Sequence, residues 1–434
     1  MAIPNHLLVA ISGWAQRVVG IVSNVFTIRF LTEGLGVDNY GAFAMLIWAS
    51  SLCSLADFGL AGSLQNYISE CRGRNLRYEK YIGTALFGGL TLLLFFGICL
   101  LLFRGPLTGL VWSPAFNFIG PSNRVLYFSI AISLGLIWAI GVISFRIWIA
   151  EHRGYVPALL LTVTSVLSTF FIWRLTRHPP ANFSLCLLAY FGPMTAAALC
   201  AYFYHATRAF LAYTEIRSET ISQMGNRSIK MWLITGLGML MTQTDLFIVS
   251  KFAPQSIDIV TYNFTQKIFN VAYQAYGALL LSILPLLAEM VHRHDKNGLE
   301  KMLRKYVGLG LGFLIAFFLV SPLVIPPICR FLSPKELVSI PSGLTLLFCI
   351  AAGCRIWNDS FCAVLMSANE FRFFFIWLPV AAFITVSAEI LLGKRFGVYG
   401  VLIGVIIGAT STICWASFRS LKQLLNRPAD LAER

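Results

Sequence analysis

Arg17, Lys267 and Arg355 each fall near the middle of a stretch that is otherwise apolar enough to cross a bilayer. A charge at that depth costs roughly 2.5–3.5 kcal/mol even on a lenient insertion scale. Cations kept there are expected to face a polar cavity rather than lipid. A cationic cavity suits the recognition of an anion, and a guanidinium offers phosphate a forked pair of hydrogen bonds.

The neighbours of these cations recur at helical spacing. Ser12, Gly13, Gln16, Arg17, Gly20, Ser23, Asn24 and Thr27 are predicted to share one broad helix face, too polar for lipid. Arg17 lies ~15 Å deep at 1.5 Å per residue. Asn263, Lys267, Asn270 and Gln274 follow i, i+4, i+7 and i+11, a stripe of hydrogen-bonding groups flanked by Tyr273, Tyr276 and Gly277. Such a stripe is expected to line a path for sugars and phosphate; the plainer alternative is hydrogen bonding between helices. Arg355 and Asp359 stand at i, i+4. They form either a neutralised pair or a cation for which a substrate phosphate competes.

The remaining acids divide by depth. Asp57 aligns with Ser50 and Ser54 near the inner surface and is expected to pair with Arg72 or Arg74. Asp245, beside Thr242, is a candidate proton or cation site or a partner for Lys267. Glu389, four residues before Gly393-Lys394-Arg395, is expected at the interface. Arg29 is expected to snorkel to the headgroups, and Arg146 to snorkel or meet Glu151.

These residues are positioned by membrane helices. The 434 residues are 57% hydrophobic and 12% charged, with mean hydropathy +0.75. Soluble domains are about a quarter charged, so a soluble fold is excluded. Apolar runs of about 20 residues recur throughout, as in spanning helices, without the short alternating segments of a barrel. The pattern predicts an all-α polytopic membrane protein with twelve spans, near 7–31, 40–64, 81–103, 125–149, 156–173, 183–205, 230–251, 259–288, 306–329, 343–366, 373–393 and 400–419. Two six-helix lobes, 1–205 and 230–419, are expected around a central cavity, joined by a cytoplasmic loop 206–229 and followed by a cytoplasmic tail 420–434.

The net charge of +14 raises the question of nucleic acid, but its distribution answers it. With the N-terminus inside, 19 lysines and arginines fall in inner loops and 9 in outer ones. That split follows the positive-inside rule and places both termini in the cytoplasm, although Arg174 and Arg177 sit against it. The first span lacks a basic leader and cleavage site and is read as retained. The ten cysteines show no metal-type spacing and read as small core residues.

Several chemistries are missing. There is no GxxxxGK[ST] loop, and His292 and His294 lack the HExxH pattern. Gly308, Gly310 and Gly312 read as helix-packing glycines. No catalytic residues and no metal site are predicted, and the loops are too small for a soluble domain.

The stretch Arg29-Phe30-Leu31 … Gly34-Leu35-Gly36-Val37-Asp38-Asn39-Tyr40-Gly41-Ala42-Phe43, then Leu55-Ala56-Asp57-Phe58-Gly59-Leu60, resembles the opening of bacterial polysaccharide flippases. These are the Wzx-type O-antigen translocases of the multidrug/oligosaccharidyl-lipid/polysaccharide exporter superfamily. Asp245 to Phe252 followed by Tyr262, and Gly397-Val398-Tyr399-Gly400, are similar to that family too. The resemblance implies a V-shaped pair of six-helix bundles in a bacterial inner membrane. It implies an undecaprenyl-pyrophosphate-linked oligosaccharide as substrate, moved to the periplasmic leaflet by alternating access. Arg17 and Lys267 match its cavity-lining basic positions, though Lys267 is a compact charge where a forked arginine is expected. With Arg355 they are candidates for the pyrophosphate, and Asn24, Asn270 and Gln274 for the sugar. Implied partners are a polysaccharide polymerase and a chain-length regulator; proton or sodium coupling stays open, and no cofactor is expected. The rivals are a cation-coupled drug exporter using Asp245, and a membrane polymerase, which would want a larger outer loop than 104–124.

Overall fold

The computed structural model describes residues 5–178, 180–209, 218–253, 255–292, 295–335, 338–367 and 371–425. Thirteen helices follow in order among them: α1 (Asn5–Leu35), α2 (Val37–Ser51), α3 (Leu60–Gly73), α4 (Glu79–Val111), α5 (Pro121–Ala150), α6 (Tyr155–Thr176), α7 (Phe183–Ala209), α8 (Ser218–Phe252), α9 (Ser256–His292), α10 (Lys296–Leu332), α11 (Ser342–Ser367), α12 (Phe371–Gly408) and α13 (Cys414–Leu425). No strand occurs among the described residues.

Among the described residues ten segments are long and apolar enough to span a bilayer, which makes this a multi-pass α-helical membrane protein. Ten differs from the expected twelve at two places. The expected span 259–288 lies within α9 (Ser256–His292), which is not among the ten, and the last two expected spans merge into Arg372–Leu424. The expected 206–229 loop is also shorter. Helix α7 continues to Ala209 and α8 starts at Ser218; residues 210–217, like the tail 426–434, lie outside the described residues. Helical continuation there is favoured because the basic groups find acids: Arg208 meets Glu151 and Arg227 meets Glu70, each at 2.7 Å.

The chain forms two compact units, dividing within α8 between Gly236 and Leu237. In the first, α1 packs along α6, with the hydroxyls of Thr27 and Thr169 3.0 Å apart and Thr169 also donating to the Ser23 carbonyl at 3.2 Å. Tyr40, Phe43 and Leu46 bury α2. Between α2 and α3 the chain turns through two left-handed residues, Phe58 (φ 46°) and Gly59 (φ 75°). Gly59 is required there twice over, because a Cβ would also lie 2.9 Å from the Trp232 backbone nitrogen. The Trp232 indole N–H donates to the Leu55 carbonyl at 2.8 Å, and its ring stacks on Phe58. At the basic ends of α5 and α7, Glu151 accepts from Arg208 at 2.7 Å and from the Tyr78 hydroxyl at 3.0 Å.

In the second unit, α9 and α11 pack through Tyr262, Phe269 and Phe348. Helix α12 is two helical stretches turning at Gly397, whose φ is +58°. Gly400, Gly404 and Gly408 then form a stripe against Leu392, Glu389 and Thr385 of the preceding stretch; a Cβ on Gly404 would lie 2.5 Å from the Glu389 backbone nitrogen. Small residues at four-residue spacing allow backbones this close in a membrane. A π-helical turn over Ala409–Ile413 leads into α13.

Candidate functional site

The second unit encloses a cavity of about 420 Å³, within the range of small-molecule sites. Helix α9 contributes Gln266, Phe269, Asn270, Tyr273 and Gln274 to its wall. Helix α8 adds Thr242, Gln243 and Asp245; α11 adds Phe348, Arg355, Asn358 and Asp359. Thr385 of α12 and the π-helical turn close it. π-Turns of this kind recur at functional sites because they re-aim a helix wall.

Three of its groups form one assembly. The Arg355 guanidinium stacks 4.0 Å from the centroid of the Tyr273 ring. Its Nε lies 3.8 Å from Asp359 Oδ2, and the Tyr273 hydroxyl donates to that same carboxylate oxygen. Asn358 donates to the other oxygen at 3.3 Å. The i, i+4 pair is thus a neutralised one, locked further by an aromatic ring.

Asp245 is buried and accepts from the Tyr262 hydroxyl at 2.7 Å and the Gln266 amide at 2.8 Å. Its partners are these and not Lys267. Behind it stands Glu389, fully buried rather than interfacial. The close glycine packing of α12 carries this side chain inward. Thr244 donates to Glu389 Oε2 at 3.2 Å, while Oε1 and the Thr385 hydroxyl meet no hydrogen-bonding partner among the described residues.

Five of the nine anticipated residues therefore share this cavity: Asn270, Gln274, Arg355, Asp245 and Asp359. Lys267 does not line it; it is half-buried, and Lys267 and Asn263 are each engaged within the protein. The cavity looks onto the Gln266–Asn270–Tyr273 side of α9, so the expected stripe is rotated by about one residue. Asp57 in the first unit corrects another expectation. Its carboxylate accepts from the backbone N–H groups of Gly59 (2.9 Å) and Ala61 (3.1 Å), capping α3, while Arg72 turns to the Ala150 carbonyl. Arg146 reaches Gln65 at 3.3 Å rather than Glu151, and Arg29 pairs with Glu33 at 3.0 Å.

The broad polar face of α1 splits in two. Ser12, Ser23 and Thr27 are buried, whereas Arg17 and Asn24 are exposed on a neighbouring sector. The Arg17 guanidinium lies 5.8 Å from the Trp14 ring centroid. The sequence reading overlooked Gln243, Gln266 and Asn358, and named Tyr262 without giving it a role at the site. Gln266 was legible, since it stands four residues before Asn270 and seven before Tyr273.

No protein-family profile matches the chain. A Yersinia pseudotuberculosis protein provisionally named an O-antigen export protein is 27% identical, with 97% of each chain aligned. A Salmonella typhimurium protein provisionally named an O-antigen transporter is 28% identical, covering 96% of each. Among solved structures, an inward-facing multidrug-resistance transporter of the MATE family superposes with TM-score 0.79 at 12% identity, over 97% of this chain and 100% of that one. The chain has the fold of that transporter. The lipid II flippase MurJ superposes with TM-score 0.67 at 15% identity, over 96% of this chain and 87% of that one. The resemblance to O-antigen flippases read in the sequence thus extends over nearly the whole chain.

Proposed function

We propose that this exporter-fold chain is a flippase for undecaprenyl-pyrophosphate-linked oligosaccharide repeat units, moving them from the cytoplasmic to the periplasmic leaflet of a bacterial inner membrane by alternating access. The observation that carries this reading is full-length similarity to proteins named for O-antigen export, joined to a cavity among apolar helices whose wall includes several carboxamides. Arg17, exposed on a spanning helix, attracts the pyrophosphate, with Lys267 as a second cation; Asn24, Asn270 and Gln274 meet the sugar. Similarity to named transporters favours transport over catalysis, and the polymerase reading finds no support in it.

Transport is coupled, in this proposal, to a proton or sodium ion taken up beside Asp245 and Glu389. A fully buried carboxylate with an unpartnered oxygen is costly unless a proton or cation completes it. The drug-exporter alternative uses the same acids but needs a cavity for small cations without sugar-binding groups.

The deciding experiment deletes the gene while leaving downstream steps intact and asks which leaflet holds the repeat units. Complete units trapped on the cytoplasmic side, with surface polymer lost, are the expected result. Unpolymerised units in the periplasm, or unchanged polymer, overturn the reading. In the complemented strain, Arg17→Ala at normal abundance is expected to cut polymer by at least tenfold, consistent with loss of a charge-assisted contact of about 1.5–3 kcal/mol.

A further inference from the structure

The cavity of the second unit is the wrong place for the pyrophosphate. Its wall holds two carboxylates, Asp245 and Asp359, against one guanidinium, Arg355. That guanidinium is already committed, stacked on Tyr273 and paired with Asp359. Phosphate entering here would find no free cation among the lining residues and would have to break the Arg355–Asp359 pair to gain a partner.

What the wall offers instead is carboxamides. Gln266 and Asn358 hold the two acids in place. Asn270 and Gln274 line the cavity and make no hydrogen bond to other described residues. Each carboxamide presents a donor and an acceptor side by side, which a sugar hydroxyl or an N-acetyl group matches and an anion matches only by half. Phe269 and Phe348, stacked at 5.8 Å, form an apolar wall in the same cavity, suited to the C–H face of a pyranose ring.

We infer that this cavity is a subsite for one uncharged sugar residue of the repeat unit, read by Asn270 and Gln274 against the Phe269–Phe348 wall, and that it discriminates against acidic sugars and against the pyrophosphate. The inference rests on the flippase reading above and adds to it the charge class of the sugar. Asp245 supplies the discrimination while it carries neither proton nor cation, since a second negative charge beside it is repelled, and Asp359 adds to it by keeping Arg355 occupied.

The test uses the full-length protein in nanodiscs and three probes: undecaprenyl pyrophosphate alone, the same carrier bearing N-acetylglucosamine, and the same carrier bearing glucuronate. The neutral-sugar carrier is expected to bind about tenfold more tightly than the bare one, as two neutral hydrogen-bonding groups allow. The glucuronate carrier gains nothing over the bare one. Asn270→Ala with Gln274→Ala removes most of the tenfold preference. Should that double variant fold poorly, Gln274→Ala alone, at an exposed position, is expected to remove about threefold. Equal binding of all three probes to the wild type overturns the subsite and leaves the flippase reading standing, as does a preference that survives both variants. If no carrier binds above undecaprenol, the flippase reading itself fails and the subsite with it.

Discussion

The Arg355–Tyr273–Asp359 assembly separates roles that a spacing argument merges. Tyr273 is both the platform beneath the guanidinium and a donor to its counter-ion. Tyr273→Phe removes only the donor and keeps the platform; Tyr273→Ala removes both. A cation–π contact at an exposed guanidinium contributes on the order of 0.5–1 kcal/mol, so transport in the complemented deletion strain is expected to fall slightly for Phe and by a few fold more for Ala. Equal losses would show that stacking contributes nothing. At Glu70, outside the spans, the Arg227 guanidinium holds the carboxyl below its ordinary value. A depressed carboxylate stabilises the fold above its unfolded pKa of about 4.3, and the contribution is lost as pH falls through the lowered folded value. The pair is half-exposed, so the effect is small. The melting temperature of Arg227→Gln is expected to lie slightly below wild type at pH 7, the gap narrowing as pH falls through the lowered folded value and leaving the part owed to the Tyr67 contact.

At the scale of elements, spacing located the helices and missed their rotation and their breaks. Residues 263, 267, 270 and 274 do lie along one edge of α9, but the cavity opens about a residue away, toward Gln266 and Tyr273. Periodicity fixes which residues share a face; only the neighbouring helices decide which face is used. Glu389 was misplaced for the same kind of reason. Its nearness to Gly393-Lys394-Arg395 suggested an interface, while the glycine stripe downstream folds a second stretch over it. Gly404→Leu drives a side chain into the Glu389 backbone, and overpacking of this kind costs roughly 1–3 kcal/mol. The measurable outcome is reduced abundance and a lower detergent melting temperature, with Gly408→Leu behaving alike and Gly312→Leu, where nothing crowds the glycine, staying close to wild type.

For the whole molecule, composition alone excluded a soluble protein, and the described helices agree. The count of spans was less legible, because a hydropathy window cannot see a turn made by one glycine, as at Gly397. Charge bias carries the topology. If both termini are cytoplasmic, a cysteine introduced at Asn75, between α3 and α4, is labelled only from the inside, and one at Asn117, between α4 and α5, only from the outside. Labelling would be done in a background with the ten native cysteines replaced. Reversal of the two would invert the orientation derived from the 19 and 9 basic residues.

The turn at Gly397 leaves a mark on how this chain can change over generations. Gly400, Gly404 and Gly408 meet their neighbours only in one register, and each residue added to the turn would swing them by about 100° around the helix axis. Insertions and deletions are therefore expected to be purged between Lys394 and Gly400 while they are better tolerated in 74–77, an exposed connection between α3 and α4. A library of single-residue insertions, selected for surface polymer, would display that contrast as a gap.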